Sequence, residues 1–270
     1  MPPEAVDSWI LTIGNEILIG RIVNTNASWL ASRLTLLGFR VARIITVPDD
    51  VDEIAEEVGR AVARARVVVT TGGLGPTYDD VTLEGVSKAL GRRLTINKHA
   101  LDMVRRFYSD KGLKLTEERI KMAMLPDGAE AIPNPVGAAP GSLLDYGGTL
   151  IISLPGVPAE MKEMFTSHVE PRLRELAPNV VIVECYARII GVPESSLAPV
   201  VKRAAGSRKE VYLKTHPKGH ELEGPVIEVR ALASAGSIEE ARVKALSVVE
   251  EVVSYARERG GKVGEEGCTG

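Results

Sequence analysis

Apolar positions in this chain alternate between short unbroken runs and runs at helical spacing, and that alternation predicts a layered α/β fold. Ser8 to Ile13 read as a first strand. Ala27, Leu30, Ala31, Leu34 and Leu37 then share one face of a helix over Asn26 to Leu37, which Gly38 ends. Val41 to Val47 make a second strand, and Asp50 with Glu53 three residues on has the form of a helix capping box. Val67 to Thr71 make a third, whose run Val67 to Val69 is β-branched without alternation, as suits a parallel strand covered on both faces. The expectation is a doubly wound, mostly parallel sheet that binds ligands at the carboxyl ends of its strands.

Further along, LEGVSKALG is helical, and Asn97 to Ser109 and Thr116 to Leu125 read as two more helices carrying Arg105, Arg106, Glu117, Glu118 and Lys121. Asn134 to Gly141 is a turn-rich loop, and Thr149 to Leu154 an apolar strand that ends in Pro155-Gly156-Val157-Pro158. Those prolines suit the entry to a helix through Met161 and Phe165. After Pro178 the order becomes strand, helix, two strands and helix: Val180 to Ile190, Glu194 to Ala204, Val211 to Thr215, Val226 to Leu232 and Ile238 to Glu258. The division read from this is a first domain over residues 1–178, a small α+β domain over 179–263 and a glycine-rich, frayed tail over 264–270.

With 270 residues, 44% of them hydrophobic and 26% charged, the chain can bury the cores of two domains. A net charge of −3 gives no basic coat for nucleic acid or a membrane surface, so a polyanionic ligand has to be held locally. No apolar run approaches the ~20 residues of a membrane span and no signal peptide is recognisable, which makes the cytoplasm the expected compartment. Cys185 and Cys268 form no metal-ligand pattern. They are read as a packing residue and a tail thiol.

The densest chemistry lies in TTGGLGPTYDDVT. Gly72, Gly73 and Gly75 let the backbone turn and approach a ligand, and N–H groups in such a turn, before a helix, favour phosphate. Gly72, Gly73, Leu74, Gly75, Pro76 and Thr77 are therefore candidate ligand contacts. One of Asp79, Asp80 and Thr82 is explained as a helix cap, but two adjacent carboxylates would repel phosphate unless a metal intervenes. The inference is a phosphate site that works with a divalent cation on Asp79, Asp80 and Glu16. Glu16 at the end of the first strand is read equally well as a solvated turn residue. Asn24 and Asn26 flank the start of the first helix, where capping accounts for at least one, and both are lesser ligand candidates together with Pro155 and Gly156. His216 and His220 make no zinc pair, because Pro217 and Gly219 break the helix that would align them. With no G-x-S-x-G and no cysteine–histidine pattern, water is the expected attacking group.

Three runs, TTGGLGPTYDDVT, GNEILIGRIVNTNASWLASRL from Gly14 to Leu34 and SLPGVPAEM from Ser153 to Met161, resemble the competence-damage protein CinA family. The N-terminal part of that family belongs to the molybdopterin-binding superfamily of MoaB, MogA and MoeA. The resemblance implies a MogA/MoaB-like fold and functional acidic residues at Glu16 of the G-x-E block, Asp49 of Val47-Pro48-Asp49, and Asp80. It implies hydrolysis of ADP-ribose to AMP and ribose 5-phosphate with Mg, Mn or Co, with Asp80, Asp49 and Glu16 catalytic. The alternative is molybdopterin binding or adenylyl transfer in molybdenum-cofactor assembly, although Leu74 and Tyr78 depart from the MogA-like pattern T-T-G-G-T-G-P. Longer members carry a deamidase domain that this chain ends too early to include, so that activity is not expected. The superfamily implies homo-oligomers with a nucleotide or pterin ligand, and Lys214 in KTHPKG is a candidate contact from a neighbouring subunit or a solvated hairpin tip. A KH-like second domain would make RNA binding a third reading, against which stand the lack of a G-x-x-G between helices in residues 179 to 260 and of an aromatic and basic platform.

Overall fold

The computed structural model describes residues 6–178, 180–208, 210–218 and 224–269. It divides into two compact units: Val6–Leu34 with Phe39–Leu176, and the described part of Ala177–Gly270 with Thr35–Gly38.

The first unit is a doubly wound sheet. Its elements are β1 (Asp7–Ile13), the single-turn α1 (Asn15–Leu18), α2 (Thr25–Leu36), β2 (Arg40–Val47), α3 (Val51–Val62), β3 (Val67–Thr71) and α4 (Thr82–Ala89). There follow β4 (Leu94–Ile96), α5 (Lys98–Ser109), α6 (Glu117–Lys121), β5 (Met124–Pro126), β6 (Glu130–Ile132), β7 (Gly141–Tyr146) and β8 (Thr149–Leu154). It closes with α7 (Pro158–Met164), a π-helical turn over Phe165–Val169 and α8 (Glu170–Leu176). Strand order is β2-β1-β3-β8-β7-β6, with β2, β1, β3 and β8 parallel and β7 and β6 antiparallel at one edge. Every residue of β3 and β8 is buried, the outcome required of central strands covered by helices on both faces.

Two local expectations are corrected. The helix expected over Thr116 to Leu125 stops at Lys121, because Pro126 disfavours helical backbone at the preceding residue and Leu94–Ile96 offers Met124–Pro126 a strand partner. None of Asp79, Asp80 and Thr82 caps α4: Val81 holds that position, and the Thr82 hydroxyl instead donates to the Gly72 carbonyl at 2.8 Å. Asp50 does cap α3, accepting from the N–H groups of Asp52 and Glu53.

The second unit contains β9 (Val181–Ile190), α9 (Glu194–Ser207), β10 (Val211–Pro217), β11 (Val226–Ala235), α10 (Ile238–Arg257) and β12 (Lys262–Thr269), in an antiparallel sheet ordered β10-β11-β9-β12. Alternate residues of β9, among them Val183, Cys185, Ala187 and Ile189, are buried in the core formed with α9 and α10. The frayed tail is a correction. Residues 262–269 pair with β9, and Gly267 lies under Tyr186, where an added Cβ would stand 3.3 Å from the ring hydroxyl. This pairing sets Cys268 opposite Cys185 in a disulfide, so neither cysteine is the isolated thiol expected.

Against the expectation of no aromatic platform, the other face of this sheet carries Tyr212, Lys214, Arg230 and Tyr186, with Arg230 5.5 Å from the centre of the Tyr186 ring. Arg230 is tied to Glu184 and Glu228, each at 2.8 Å, so charges of both signs alternate there. His220 and Gly219 lie outside the described residues. Among the described residues no helix is long and apolar enough to cross a membrane.

Candidate functional site

Register places the ends of the four parallel strands side by side: Ile13 pairs with Val47, Thr12 with Thr71, and Thr71 with Leu154. The loops leaving those strands wall a cleft of about 620 Å³, where ligands of open α/β sheets bind. Gly72 needs its hydrogen atom. Its φ is +108°, and an added Cβ would lie 2.2 Å from the Ile13 carbonyl oxygen. Gly73, at φ +65°, would meet the Thr82 hydroxyl at 2.3 Å. Among the described residues, the N–H groups of Gly73, Leu74 and Gly75 donate to no backbone carbonyl, which leaves them as donors beside the cleft.

Glu16, Asp49, Asp79 and Asp80 all line this cleft. The Asp49 carboxylate accepts from the Asn15 N–H at 2.8 Å and so steadies the turn after β1. Burial pushes the Asp49 carboxyl above the usual carboxylate range, the Asn15 N–H opposes this, and the charges of Glu16, Asp79 and Asp80 add to the rise. Asp80 accepts from the Thr77 N–H at 2.8 Å, and the single proton of the Thr77 hydroxyl is shared between Asp80 and Asp79, the latter at 2.6 Å. That hydroxyl is the main reason Asp79 is held below its ordinary value, and Lys121 assists.

Among the described residues, no group of three or more acidic, histidine or cysteine side chains is gathered closely enough to hold a metal ion, so Glu16, Asp79 and Asp80 are not a ready-made ligand set. The expectation of a three-carboxylate protein site is corrected to that extent. Hard oxygen donors on one cleft still fit a magnesium-like cation, which uses one or two carboxylates and completes its shell with water and phosphate oxygens.

The two asparagines are structural as well as cleft-lining. Asn24 accepts from the Ala27 N–H at 3.1 Å and caps α2. Asn26 is buried and donates to the Thr71 hydroxyl at 3.0 Å and the Gly156 carbonyl at 2.8 Å, linking α2, β3 and the loop after β8. The Thr71 hydroxyl in turn donates to the Pro155 carbonyl at 2.9 Å. Pro155, Gly156, Leu74, Pro76 and Thr77 also line the cleft. Lys214 does not; it sits on β10 of the antiparallel unit.

Three side chains enter that sequence reasoning passed over. Lys121, read as a charged helix face, donates to the Thr77 carbonyl at 2.9 Å and braces the back of the turn. Tyr108 reaches the cleft from α5, and Glu160 from α7. The one available signal for Glu160 was its place just after the Pro155 to Pro158 loop.

Comparison with known proteins follows the same outline. Residues 9–175 match the family described as "Probable molybdopterin binding domain". Among solved structures, the protein CinA of unknown function from Thermoplasma acidophilum is similar, with a TM-score of 0.59 and 43% identity, over 63% of this chain and 98% of that one. A protein of Aeropyrum pernix is 60% identical over 259 residues, 96% of this chain and 97% of its own length. Protein PAE0875 of Pyrobaculum aerophilum is 50% identical over 252 residues, 93% of this chain and 92% of its own length.

Proposed function

The chain belongs to the family of probable molybdopterin-binding domains, with CinA among its relatives, and from that membership we propose that the cleft binds a phosphorylated heterocycle of the molybdopterin kind together with a divalent cation. One observation carries the reading: a turn rich in N–H donors and the carboxylates of Glu16, Asp49, Asp79 and Asp80 converge on the same cleft. The N–H groups of Gly73, Leu74 and Gly75 receive phosphate oxygens, Pro76 and Thr77 shape the rim, and Asp79, Asp80 and Glu16 face the cation. When bound, the cation offsets the repulsion between phosphate and carboxylates. Asn24, Asn26, Pro155 and Gly156 hold the walls in place.

The second reading is hydrolysis of ADP-ribose to AMP and ribose 5-phosphate. It is favoured by Asp49, whose raised carboxyl pKa makes it a better proton acceptor than an ordinary aspartate. In that reaction a water oxygen bonds to one phosphorus, the bridging P–O bond breaks, and Asp49 or Glu16 takes the water's proton. A homo-oligomer, with Lys214 reaching a neighbouring copy's ligand, is a part of the proposal that light scattering tests.

Equilibrium binding of a pterin phosphate and of ADP-ribose, with Mg²⁺ or after chelation, tests the main reading. Cation-dependent binding of the pterin phosphate, lost in Asp80→Asn, is expected, and binding of neither ligand would refute it. AMP release from ADP-ribose with Mg²⁺, Mn²⁺ or Co²⁺, abolished in Asp49→Asn, would establish the second.

A further inference from the structure

Glu160 lines the cleft but does not belong to the carboxylate group around the glycine turn. The charges that act on Asp49 are Glu16, Asp79 and Asp80, whereas Glu160 hangs from the first turn of α7 against the loop between β6 and β7. There its carboxylate is held from two sides. The Asn134 amide donates to Glu160 Oε2 at 2.7 Å and to the Ala139 carbonyl at 2.9 Å, while the Asn134 oxygen accepts from the N–H groups of Val136 and Gly137 at 3.1 and 2.7 Å. Asn134 is thereby fixed as a donor toward Glu160 and cannot rotate without breaking the loop's own bonds. On the other side the carboxylate lies flat across Gly137, where an added Cβ would stand 2.2 Å from Oε2 and 2.5 Å from Oε1. Ala138, Ala139, Val157 and Pro158 give this part of the cleft apolar walls.

A carboxylate offers acceptors only, about four lone-pair positions, of which Asn134 takes one. Its two oxygens therefore suit two adjacent N–H donors on a planar ring, the charge-assisted, two-point pairing that gives both strength and orientation. A 2-amino-4-oxopyrimidine edge, as in a pterin or a guanine, presents that pair: a ring N–H beside an exocyclic amine. The corresponding edge of adenine presents one donor beside a ring-nitrogen acceptor, which a carboxylate repels. We propose that Glu160, positioned by Asn134 and Gly137, reads the heterocycle and selects a 2-amino-4-oxo ring over adenine. The assignment rests on the cleft binding a phosphorylated heterocycle and narrows its class. It separates the two readings above, since an adenine nucleotide would gain nothing from Glu160.

The bland alternative is a bolt joining α7 to the loop. A bolt would alter stability and affect all ligands alike; a reader of the ring changes the ratio between ligands.

The test is equilibrium binding of 6-hydroxymethylpterin diphosphate and of ADP, both with Mg²⁺, to the wild-type protein, Glu160→Gln and Glu160→Asp, with thermal unfolding of each as the folding control. The expected result is tighter binding of the pterin diphosphate by the wild type, a loss of about 10- to 100-fold for that ligand in Glu160→Gln, and ADP binding undiminished or improved there, because a glutamine amide can pair with the adenine edge. Glu160→Asp, which keeps the charge but shortens the reach, should lose part of the preference. Wild type that binds ADP as well as the pterin diphosphate, or variants that weaken both ligands equally, would overturn the role of Glu160 and leave the cleft reading standing. Binding of neither ligand by folded wild-type protein would overturn both.

Discussion

The antiparallel unit and the cleft of the first unit treat their buried and half-buried carboxylates in opposite ways. In the antiparallel unit Glu228 bonds Arg230 at 2.8 Å with Lys218 3.4 Å away, and Glu251 bonds Arg208 at 2.9 Å, so these carboxyls are held below their ordinary range chiefly by the arginine hydrogen bonds. Around the cleft of the first unit, by contrast, no described lysine or arginine forms an ion pair with Glu16, Asp49, Asp79 or Asp80, and Asp49 is raised. Like charges facing one another across a cleft, beside glycines held at positive φ, are a cost to the fold, and costs of that kind collect where a ligand repays them. The antiparallel unit is built for stability and the cleft for binding.

The largest expected effect comes from opening the Cys185–Cys268 disulfide. It closes a separation of 83 residues, and in the chain-entropy account its loss costs about 4–5 kcal/mol. Cys185→Ser with Cys268→Ser should lower the unfolding temperature of the antiparallel unit and leave ligand binding by the cleft intact. Next comes Gly72→Ala, which forces a Cβ against the Ile13 carbonyl at an unfavourable φ and should cost about 3 kcal/mol together with cleft binding. Denaturant unfolding and a binding titration read both losses.

Arg230→Ala should cost about 2 kcal/mol in thermal unfolding by leaving the buried Glu228 with Lys218 alone. Because Glu228 has a lowered pKa in the fold, its contribution is present above the unfolded pKa and fades as pH falls through the folded one. Asp49 has the reverse sign. Its folded pKa is raised, so its contribution favours the fold below the unfolded pKa and is lost as pH rises through the folded pKa. Asp49→Asn should therefore stabilise the ligand-free protein at neutral pH, with the gain vanishing on acidification in a pH series of unfolding curves.

Much of this was legible in the chain. The unbroken run Val67 to Val69 announced a central parallel strand, and the adjacent pair Asp79-Asp80 after three glycines announced a charged turn, because both signals are local. The cysteine pair was hidden, since only the register of β12 on β9 brings residues 83 apart together. Lys121 and Glu160 were hidden for a similar reason: their approach depends on where α6 stops and how the 134–141 loop folds back on α7. The capping role expected near Asp80 failed because Thr77 competes for the same carboxylates.

Thermal unfolding of the intact protein with pyrophosphate alone, Mg²⁺ alone and both together tests most directly the claim that the carboxylates of the cleft await a cation and a phosphate. The account predicts that the two together raise the transition of the first unit by about 5 °C or more while each alone does little. Equal stabilisation by pyrophosphate without the metal, or no shift with both, would contradict it.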